Sequence, residues 1–165
     1  MLFLVRLARS AWSIGALLVL VSACTLSACA QGSKLPKVDG YFIKSNGEKS
    51  PTFELEVCAT DAQRSLGLMY RRWLAPTAGM IFLFPDEREN TFWMKNTYIP
   101  LDMVFVDKTM KVVGILEHVP PLNEAPRTVG RLSMYVLEFA AGTMKEHGVA
   151  PGATLEIHGE LPAAR

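Results

Sequence analysis

Short apolar segments, each five to eight residues long and separated by turn-forming residues, run through the sequence from residue 38 to residue 158. Segments of this length and spacing predict β-strands rather than long helices. Only two short helices are expected, over residues 61–68 behind a capping box at Thr60-x-x-Gln63 and over residues 140–147. The pattern favours a mainly β domain, a compact sandwich or barrel-like fold, with an α+β fold as the alternative. The predicted strands are residues 38–44, 52–59, 79–84, 90–94, 101–107, 111–117, 135–139 and 154–158.

The strands differ in how they are expected to be buried. In residues 53–59 apolar side chains occupy every second position, so one face of this strand should be solvated. Cys58 falls on the same face as two glutamates and is expected to be a partly covered strand residue. Residues 81–84 and 103–106 are apolar on both faces, which predicts central strands covered on both sides. Residues 118–131 contain four prolines or glycines and predict a long surface loop.

The N-terminal segment resembles an export signal. Arg6 and Arg9 precede an apolar stretch over residues 11–21, and no acidic residue occurs in this part of the chain. A short basic region followed by a short apolar region is typical of a secretory signal peptide. Leu26-Ser27-Ala28-Cys29 also resembles a bacterial lipobox, in which the cysteine is lipidated and becomes the mature N-terminus. We therefore expect a lipid-anchored protein on the periplasmic face of the cell envelope.

Several details of this signal remain open. Cys29 is the preferred lipidation site and Cys24 the second choice, while ordinary signal cleavage at Ala28-Cys29-Ala30 would give a soluble periplasmic protein. A retained membrane helix is a further alternative. Because alanine rather than aspartate follows Cys29, lipoprotein sorting indicates the outer membrane. The predicted organisation is a signal peptide over 1–28, a tether over 29–37, one β-rich domain over 38–160 and a tail over 161–165. Residues 159–165 are expected to be frayed.

Composition and motifs exclude several functional classes. Charged residues make up 20% of the chain and the net charge is +1, so the protein is not a strongly basic nucleic-acid binder. Three cysteines are too few for a disulfide-dense scaffold. The sequence contains no serine-hydrolase elbow, zinc-protease motif, Cys-x-x-Cys pair or dinucleotide-binding glycine pattern. No cofactor and no nucleic-acid partner are expected.

Two dense segments carry a set of motifs. The first reads R-x-x-G-L-M-x-R from Arg64 and continues as G-M-x-F-x-F from Gly79, and the second reads F-W-M-K-N-T-x-I-P-L-D from Phe92. In these segments the chain resembles a bacterial and archaeal family known as domain of unknown function 192. The resemblance continues through Val-Leu-Glu at 136–138 and covers about residues 53–158. It implies a compact, mainly β domain that is often secreted or lipidated, and it implies no known activity.

Asp102 is the most conspicuous charged residue, because it lies between two apolar residues of a predicted central strand. A buried carboxylate is costly unless it is paired or hydrogen-bonded. Arg71 is the preferred partner, since a guanidinium can hold a carboxylate through two hydrogen bonds. Arg64 and Lys95 are the next candidates. We expect a direct contact, or one through a single water, beneath the turn at Asn96-Thr97.

Two interpretations of this cluster are open. In one, it is a structural polar cluster that holds the turn before a central strand. In the other, it lines a cleft that binds a small polar ligand, with Trp93 as a wall. The candidate ligand-binding residues are Arg64, Arg71, Trp93, Lys95, Asn96 and Asp102.

The predicted function is a binding or accessory module of the cell envelope, for a small polar ligand or for an envelope protein. One alternative is an enzyme with an acid–base site around Asp102, although no nucleophile or histidine is evident beside it. Another is a Cu(I) site, because thioethers near an indole can bind this ion. Methionines also fill irregular cores, which is the favoured interpretation here. The weak copper candidates are Met69, Met80, Met94 and Met103, beside Trp93.

Overall fold

The structure is a computed structural model that describes residues 34–165. The mainly β prediction is confirmed, because one curled, half-barrel sheet dominates the described part of the chain. The capping box predicted at Thr60-x-x-Gln63 is present and begins the first helix. The strands are β1 (Lys37–Ile43), β2 (Phe53–Cys58), β3 (Ala78–Glu89), β4 (Leu101–Val106), β5 (Val112–Val119), β6 (Leu132–Ala140) and β7 (Thr154–His158), and the helices are α1 (Asp61–Leu66) and α2 (Thr143–Glu146).

The sheet has the strand order β5-β4-β6-β3-β2-β1-β7. Its pairs are antiparallel apart from β2 and β3, which run parallel and therefore need the crossover that α1 and residues 67–77 provide. The two edges of the sheet meet at one end. There the backbone N–H of Val112 donates to the carbonyl oxygen of Ala153 at 2.8 Å, and Lys111 forms a bridge to Thr154. This contact pairs backbone groups that a sheet edge would otherwise leave open.

Curling gives the central strands two covered faces. Residues 103–106 and 81–83 are buried and Phe84 is half-buried, which confirms the prediction of central strands. The inner face carries an aromatic cluster, in which the rings of Phe53 and Phe139 lie 4.8 Å apart. The outer face is covered by residues 67–74 and 90–100. The outer core that results contains Cys58, Leu68, Leu74, Met80, Phe82, Met94, Leu101, Met103, Phe105, Val119 and Val136.

The strand predicted at residues 90–94 is wrong. β3 instead continues to Glu89. Its last two residues, Arg88 and Glu89, pair with β6 after a shift in register that follows Leu83. The chain then leaves the sheet at Asn90. The amide group of Asn90 donates to the carbonyl and the hydroxyl oxygens of Ser133, which ends the pairing. Residues 91–97 then cross the outer face as an extended loop, joined by a single bridge between Phe92 and Arg127. The predicted surface loop is present as residues 120–131.

Two further expectations are corrected. Cys58 is fully buried rather than partly covered, because the outer face is itself a core, and burial raises the pKa of its thiol to about 12. The C-terminal residues are not frayed: Leu161 and Ala164 pack on the inner core, and the N–H of Arg165 donates to the carbonyl oxygen of Ala59 at 2.8 Å. The signal peptide, both candidate lipidation cysteines and the start of the tether lie outside the described residues. None of the helices in residues 34–165 has the length and apolar character to cross a bilayer.

Candidate functional site

A cavity of about 290 Å³ opens on the outer face of the sheet. One wall consists of Asp61 and residues 64–69, from α1 and the turn that follows it. The opposite wall is the loop that replaces the predicted strand, through residues 91–93 and Thr97. The floor is formed by side chains of β3 and β6. This cavity, called the outer-face pocket below, therefore lies between the two motif segments.

The turn after α1 brings the first wall close to the sheet, and it depends on Gly67. The residue has a φ of 46°, a conformation that favours glycine. A Cβ atom at this position would lie 3.2 Å from the ring of Phe82, closer than ordinary contacts. The backbone can thus pass directly over β3, and Leu68 becomes part of the outer core with 2% of its surface exposed.

Glu138 supplies a carboxyl group to the floor of the pocket. It lies at the centre of the sheet on β6, directly opposite Met80 of β3 and Met103 of β4, and only 4% of the residue is exposed. Thioether side chains donate no hydrogen bonds. Within residues 34–165 no other donor reaches the carboxyl group either, and burial alone raises its pKa to about 8. The floor therefore presents a desolvated acid with no partner from the described chain.

Aromatic rings surround this carboxyl group. The side chains of Phe82, Phe84, Phe92 and Trp93 all line the pocket. Phe92 packs edge-on against Phe82 with ring centroids 5.1 Å apart, and against Phe84 at 6.3 Å. These contacts hold the rings in fixed orientations at the pocket wall. Trp93 is 49% exposed and forms the rim.

Arg64, one of the candidate ligand-binding residues, lines the outer-face pocket, but its guanidinium group is already occupied. One nitrogen donates to the carbonyl oxygens of Ala59 at 2.9 Å and Leu83 at 2.6 Å. The other donates to Asp61 Oδ1 at 2.6 Å and to the carbonyl oxygen of Arg165 at 3.1 Å. Arg64 therefore ties α1 to β2, β3 and the C-terminus, and so positions the first wall.

The predicted contact between Arg71 and Asp102 is wrong. Arg71 forms two hydrogen bonds with Glu56, at 2.7 and 2.5 Å. These hydrogen bonds lower the pKa of the Glu56 carboxyl group and raise the pKa of the Arg71 guanidinium group. The pair lies at the outer surface of β2, where both side chains are partly exposed.

Asp102 is sealed inside the fold, with no exposed surface. One carboxylate oxygen accepts the backbone N–H of His118 at 2.9 Å, and the other accepts those of Gly142 and Met144, each at 3.0 Å. Both His118 and Gly142 have positive φ angles, of 51° and 92°, so the carboxylate holds two unusual backbone turns in place. This closed, fully paired arrangement supports the structural interpretation of Asp102. Because the carboxylate has no exposed surface, a substrate could not reach it for acid–base chemistry in this structure.

The remaining candidates are separated as well. The ammonium group of Lys95 lies 5.2 Å from the ring centroid of Trp93. The amide nitrogen of Asn96 donates to the hydroxyl group of Tyr70 at 3.0 Å. Lys95 and Asn96, like Arg71 and Asp102, are not among the residues that line the outer-face pocket. Only Arg64 and Trp93 of the predicted set reach it, so the structure does not gather the six candidates into one cleft.

The four methionines proposed for Cu(I) are distributed between core and wall. Met80, Met94 and Met103 belong to the outer core and have no exposed surface. Met69 is half-buried and lines the pocket. In residues 34–165 no group of three or more histidine, cysteine or acidic side chains could hold a metal ion.

Sequence reasoning missed Glu138 as a site residue. A signal was present, because this glutamate is the one charged residue in the predicted strand over 135–139, in the same way that Asp102 stands out in its own strand. The aromatic floor and wall at Phe82, Phe84 and Phe92 were also missed, since apolar residues in strands are expected to be core.

Fold and site together define a class: a small half-barrel β protein with an aromatic-lined pocket on the outer face of its sheet and a buried carboxyl group at the pocket floor. The family model described as "Uncharacterized ACR", domain of unknown function 192, matches residues 42–157. The chain therefore belongs to this family, as its motifs indicated.

Two solved structures are similar to the chain. One is described as a "putative transcription regulator" from Sinorhizobium meliloti 1021; it is 41% identical, with a TM-score of 0.72, over 75% of this chain and 95% of that chain. The other is a protein of unknown function from Novosphingobium aromaticivorans DSM 12444; it is 34% identical, with a TM-score of 0.70, over 75% of this chain and 87% of that chain. A comparison with curated proteins found no significant match.

Proposed function

We propose that this protein is a binding module whose outer-face pocket takes a small ligand through the carboxyl group of Glu138. The observation that carries the proposal is that Glu138, a residue only 4% exposed, lines the pocket and has no hydrogen-bond partner for its carboxyl group within the described residues. Buried polar groups are normally satisfied, because an unsatisfied one costs free energy. A bound ligand with a polar group above the floor would supply the missing partner.

The size and lining of the pocket support a small ligand. Its volume of about 290 Å³ is at the lower end of the range for ligand sites. The pocket combines aromatic and aliphatic side chains with polar residues on its walls, among them Asp61, Arg64, Ser65, Thr91 and Thr97. A few polar groups set among apolar ones are the usual arrangement for fixing a ligand's orientation. We therefore expect a compact molecule that buries an apolar part and directs one polar group to Glu138.

We also propose that the module acts in the cell envelope, at the membrane through a lipid on Cys29. The support is the basic and apolar pattern of residues 1–28 and the lipobox-like residues that precede Cys29. Without residues 1–28 and their two arginines, the chain has a net charge of −1. This balance does not favour a nucleic-acid partner.

The binding proposal can be tested by filling the pocket. Ser65 is exposed, lies on α1 and lines the pocket, so Ser65→Trp places an indole in the cavity. Ala62→Trp is the matched control, because Ala62 is exposed on the same helix and is not a lining residue. A soluble fragment set of neutral, anionic and cationic compounds is screened by NMR of the methyl groups of Met80 and Met103, which flank Glu138.

We expect fragments to shift these methyl signals in the wild-type and Ala62→Trp proteins and not in Ser65→Trp. If no fragment shifts them at millimolar concentration, or if the shifts persist in the filled variant, the outer-face pocket is not a binding site. If the fragments do bind as expected, mass spectrometry can identify the natural ligand as a small molecule that co-purifies with the wild-type protein and not with the Ser65→Trp variant.

A further inference from the structure

We infer that the outer-face pocket is built for a small organic cation, an ammonium compound held between the Glu138 carboxylate and the surrounding aromatic rings. This inference rests on the proposed binding function and specifies the class of ligand. It follows from the charge of the pocket lining, from the absence of a protein cation at Glu138 and from the way the wall rings already contact cations.

The lining has a net negative charge when Glu138 is ionised. Its charged residues are Asp61, Arg64 and Glu138. Asp61 and Arg64 form an ion pair at 2.6 Å and cancel each other. One negative charge therefore remains, and a ligand with a single positive charge would balance it. An anionic ligand would face an uncompensated repulsion in a poorly solvated site.

The described chain supplies no cation to this charge. The guanidinium group of Arg64 donates to Asp61 and to backbone carbonyl oxygens, and Arg71 is held by Glu56. The strands beside Glu138 place only methionine side chains opposite it. A protein built to keep this carboxylate paired permanently would direct one of these arginines to it. The open position above the carboxylate is left for a cation that comes and goes.

The aromatic rings favour the same class of ligand. A cation over the face of an aromatic ring is attracted by the ring's electron density. Rings of this pocket already show such contacts. The guanidinium groups of Arg64 and Arg88 each lie 5.3 Å from the centroid of Phe84, and the ammonium of Lys95 lies 5.2 Å from that of Trp93. An anionic floor with aromatic walls is the arrangement that binds ammonium groups in preference to uncharged molecules of the same shape.

The test compares two probes that differ only in charge. Choline carries a permanent positive charge, and 3,3-dimethylbutan-1-ol is its uncharged isostere. Each is titrated into the wild-type protein, Glu138→Gln and the control Glu117→Gln, which changes an exposed strand glutamate. Binding is followed through the methionine methyl groups of Met80 and Met103. At pH 8.5 we expect choline to bind the wild-type and Glu117→Gln proteins about tenfold or more tightly than the alcohol, and Glu138→Gln to lose this preference.

The same titrations at several pH values give an independent readout. The pKa of Glu138 is raised to about 8, so the free carboxyl group is protonated at pH 6 and must lose its proton when a cation binds. Choline affinity should rise about tenfold per pH unit up to pH 8 and then level off, while the alcohol's affinity stays flat. The other ionisable groups around Glu138 are Asp61 and Arg64 of α1, Cys58 and Glu56 of β2, and Arg71, which is paired with Glu56. The Glu138→Gln variant assigns the pH dependence, because it keeps all five of them.

The outcomes separate this inference from the binding proposal. Equal binding of both probes, or tighter binding of the alcohol, overturns the cation inference and leaves pocket binding intact. A preference for choline that survives in Glu138→Gln overturns it too, because the carboxylate would not be its cause. If neither probe binds, the cation inference fails, and the fragment screen with the Ser65→Trp variant decides separately whether the pocket binds any ligand.

Discussion

Replacing Glu138 by glutamine should stabilise the folded protein, and the gain should grow with pH. In the unfolded chain this carboxyl group has an ordinary pKa of 4.5, whereas burial raises the pKa to about 8 in the folded protein. Below pH 4.5 both states hold the proton. Between pH 4.5 and 8 the unfolded chain loses it while the folded protein keeps it, so the free energy of unfolding falls as pH rises. Above pH 8 the loss is complete.

The size of the effect follows from the same pKa values. Each pH unit in this interval costs about 1.4 kcal/mol, which gives about 3 kcal/mol at pH 7 and about 5 kcal/mol at pH 8 and above. Glutamine has the shape of the protonated acid and does not ionise, so Glu138→Gln avoids this cost. We expect the variant to exceed the wild type in free energy of unfolding by an amount that increases steadily from pH 5 to pH 8.

Equilibrium urea unfolding at intervals of one pH unit from 5 to 9 measures this difference directly. Ionisable groups that both proteins contain contribute equally to the free energy of unfolding, so their contributions cancel when the variant is compared with the wild type at each pH. Glu117→Gln is the matched control, because this glutamate is exposed, and its difference from the wild type should stay within about 0.5 kcal/mol. A Glu138→Gln difference that is constant across pH 5–9 would refute the reasoning, since Glu138 would then ionise alike in both states.

Further predictions concern Asp102 and the N-terminus. Asp102→Asn should lower the free energy of unfolding by about 2–4 kcal/mol, because the new amide group would face a buried backbone donor. The control Asp39→Asn, at an exposed residue, should change it little. Thermal and urea unfolding measure both changes, and equal effects would contradict the prediction. The double change of Asp102→Asn with Arg71→Met should be additive within about 0.5 kcal/mol, since the two residues contact different partners, and a larger coupling energy would contradict the structure. Cys29→Ser should release the protein from the membrane fraction in detergent-free fractionation, because an acyl chain contributes about 0.8 kcal/mol of membrane-binding free energy per buried CH₂. Release by Cys24→Ser alone would assign lipidation to Cys24. Release by neither change would exclude the lipid anchor.

Local features of the fold could be predicted from the sequence because neighbouring residues decide them. The capping box at Thr60 depends on side chains three residues apart, and it begins α1 as expected. The tight turn at residues 107–109 follows from the same short-range chemistry, with the Asp107 carboxylate accepting backbone N–H groups at Thr109 and Lys111. Segments that are apolar on both faces predicted that β3 and β4 lie in the interior of the sheet, and neither strand is at its edge.

Features that depend on distant segments were mispredicted for one physical reason. A residue's burial in a sheet depends on what covers each face, and the sequence of one strand contains no information about that cover. Cys58 alternates like a solvated residue, yet residues 67–74 and 90–100 make its face a second core. Residues 90–94 have the composition of a strand, but β3 already extends to Glu89 and the backbone partners there are taken.

The sequence by itself determined that this is a mainly β domain of a particular family, with a carboxylate in a central strand that had to be satisfied. Only the tertiary structure decided how, because the three backbone donors to Asp102 come from positions 16, 40 and 42 residues away along the chain. Such donors have no side-chain signature, whereas an arginine has one, and for that reason sequence reasoning chose Arg71. The same limit explains Glu138: whether a charged residue in an apolar strand is paired, sealed or left open to a ligand depends on backbone and side chains that only folding brings to it.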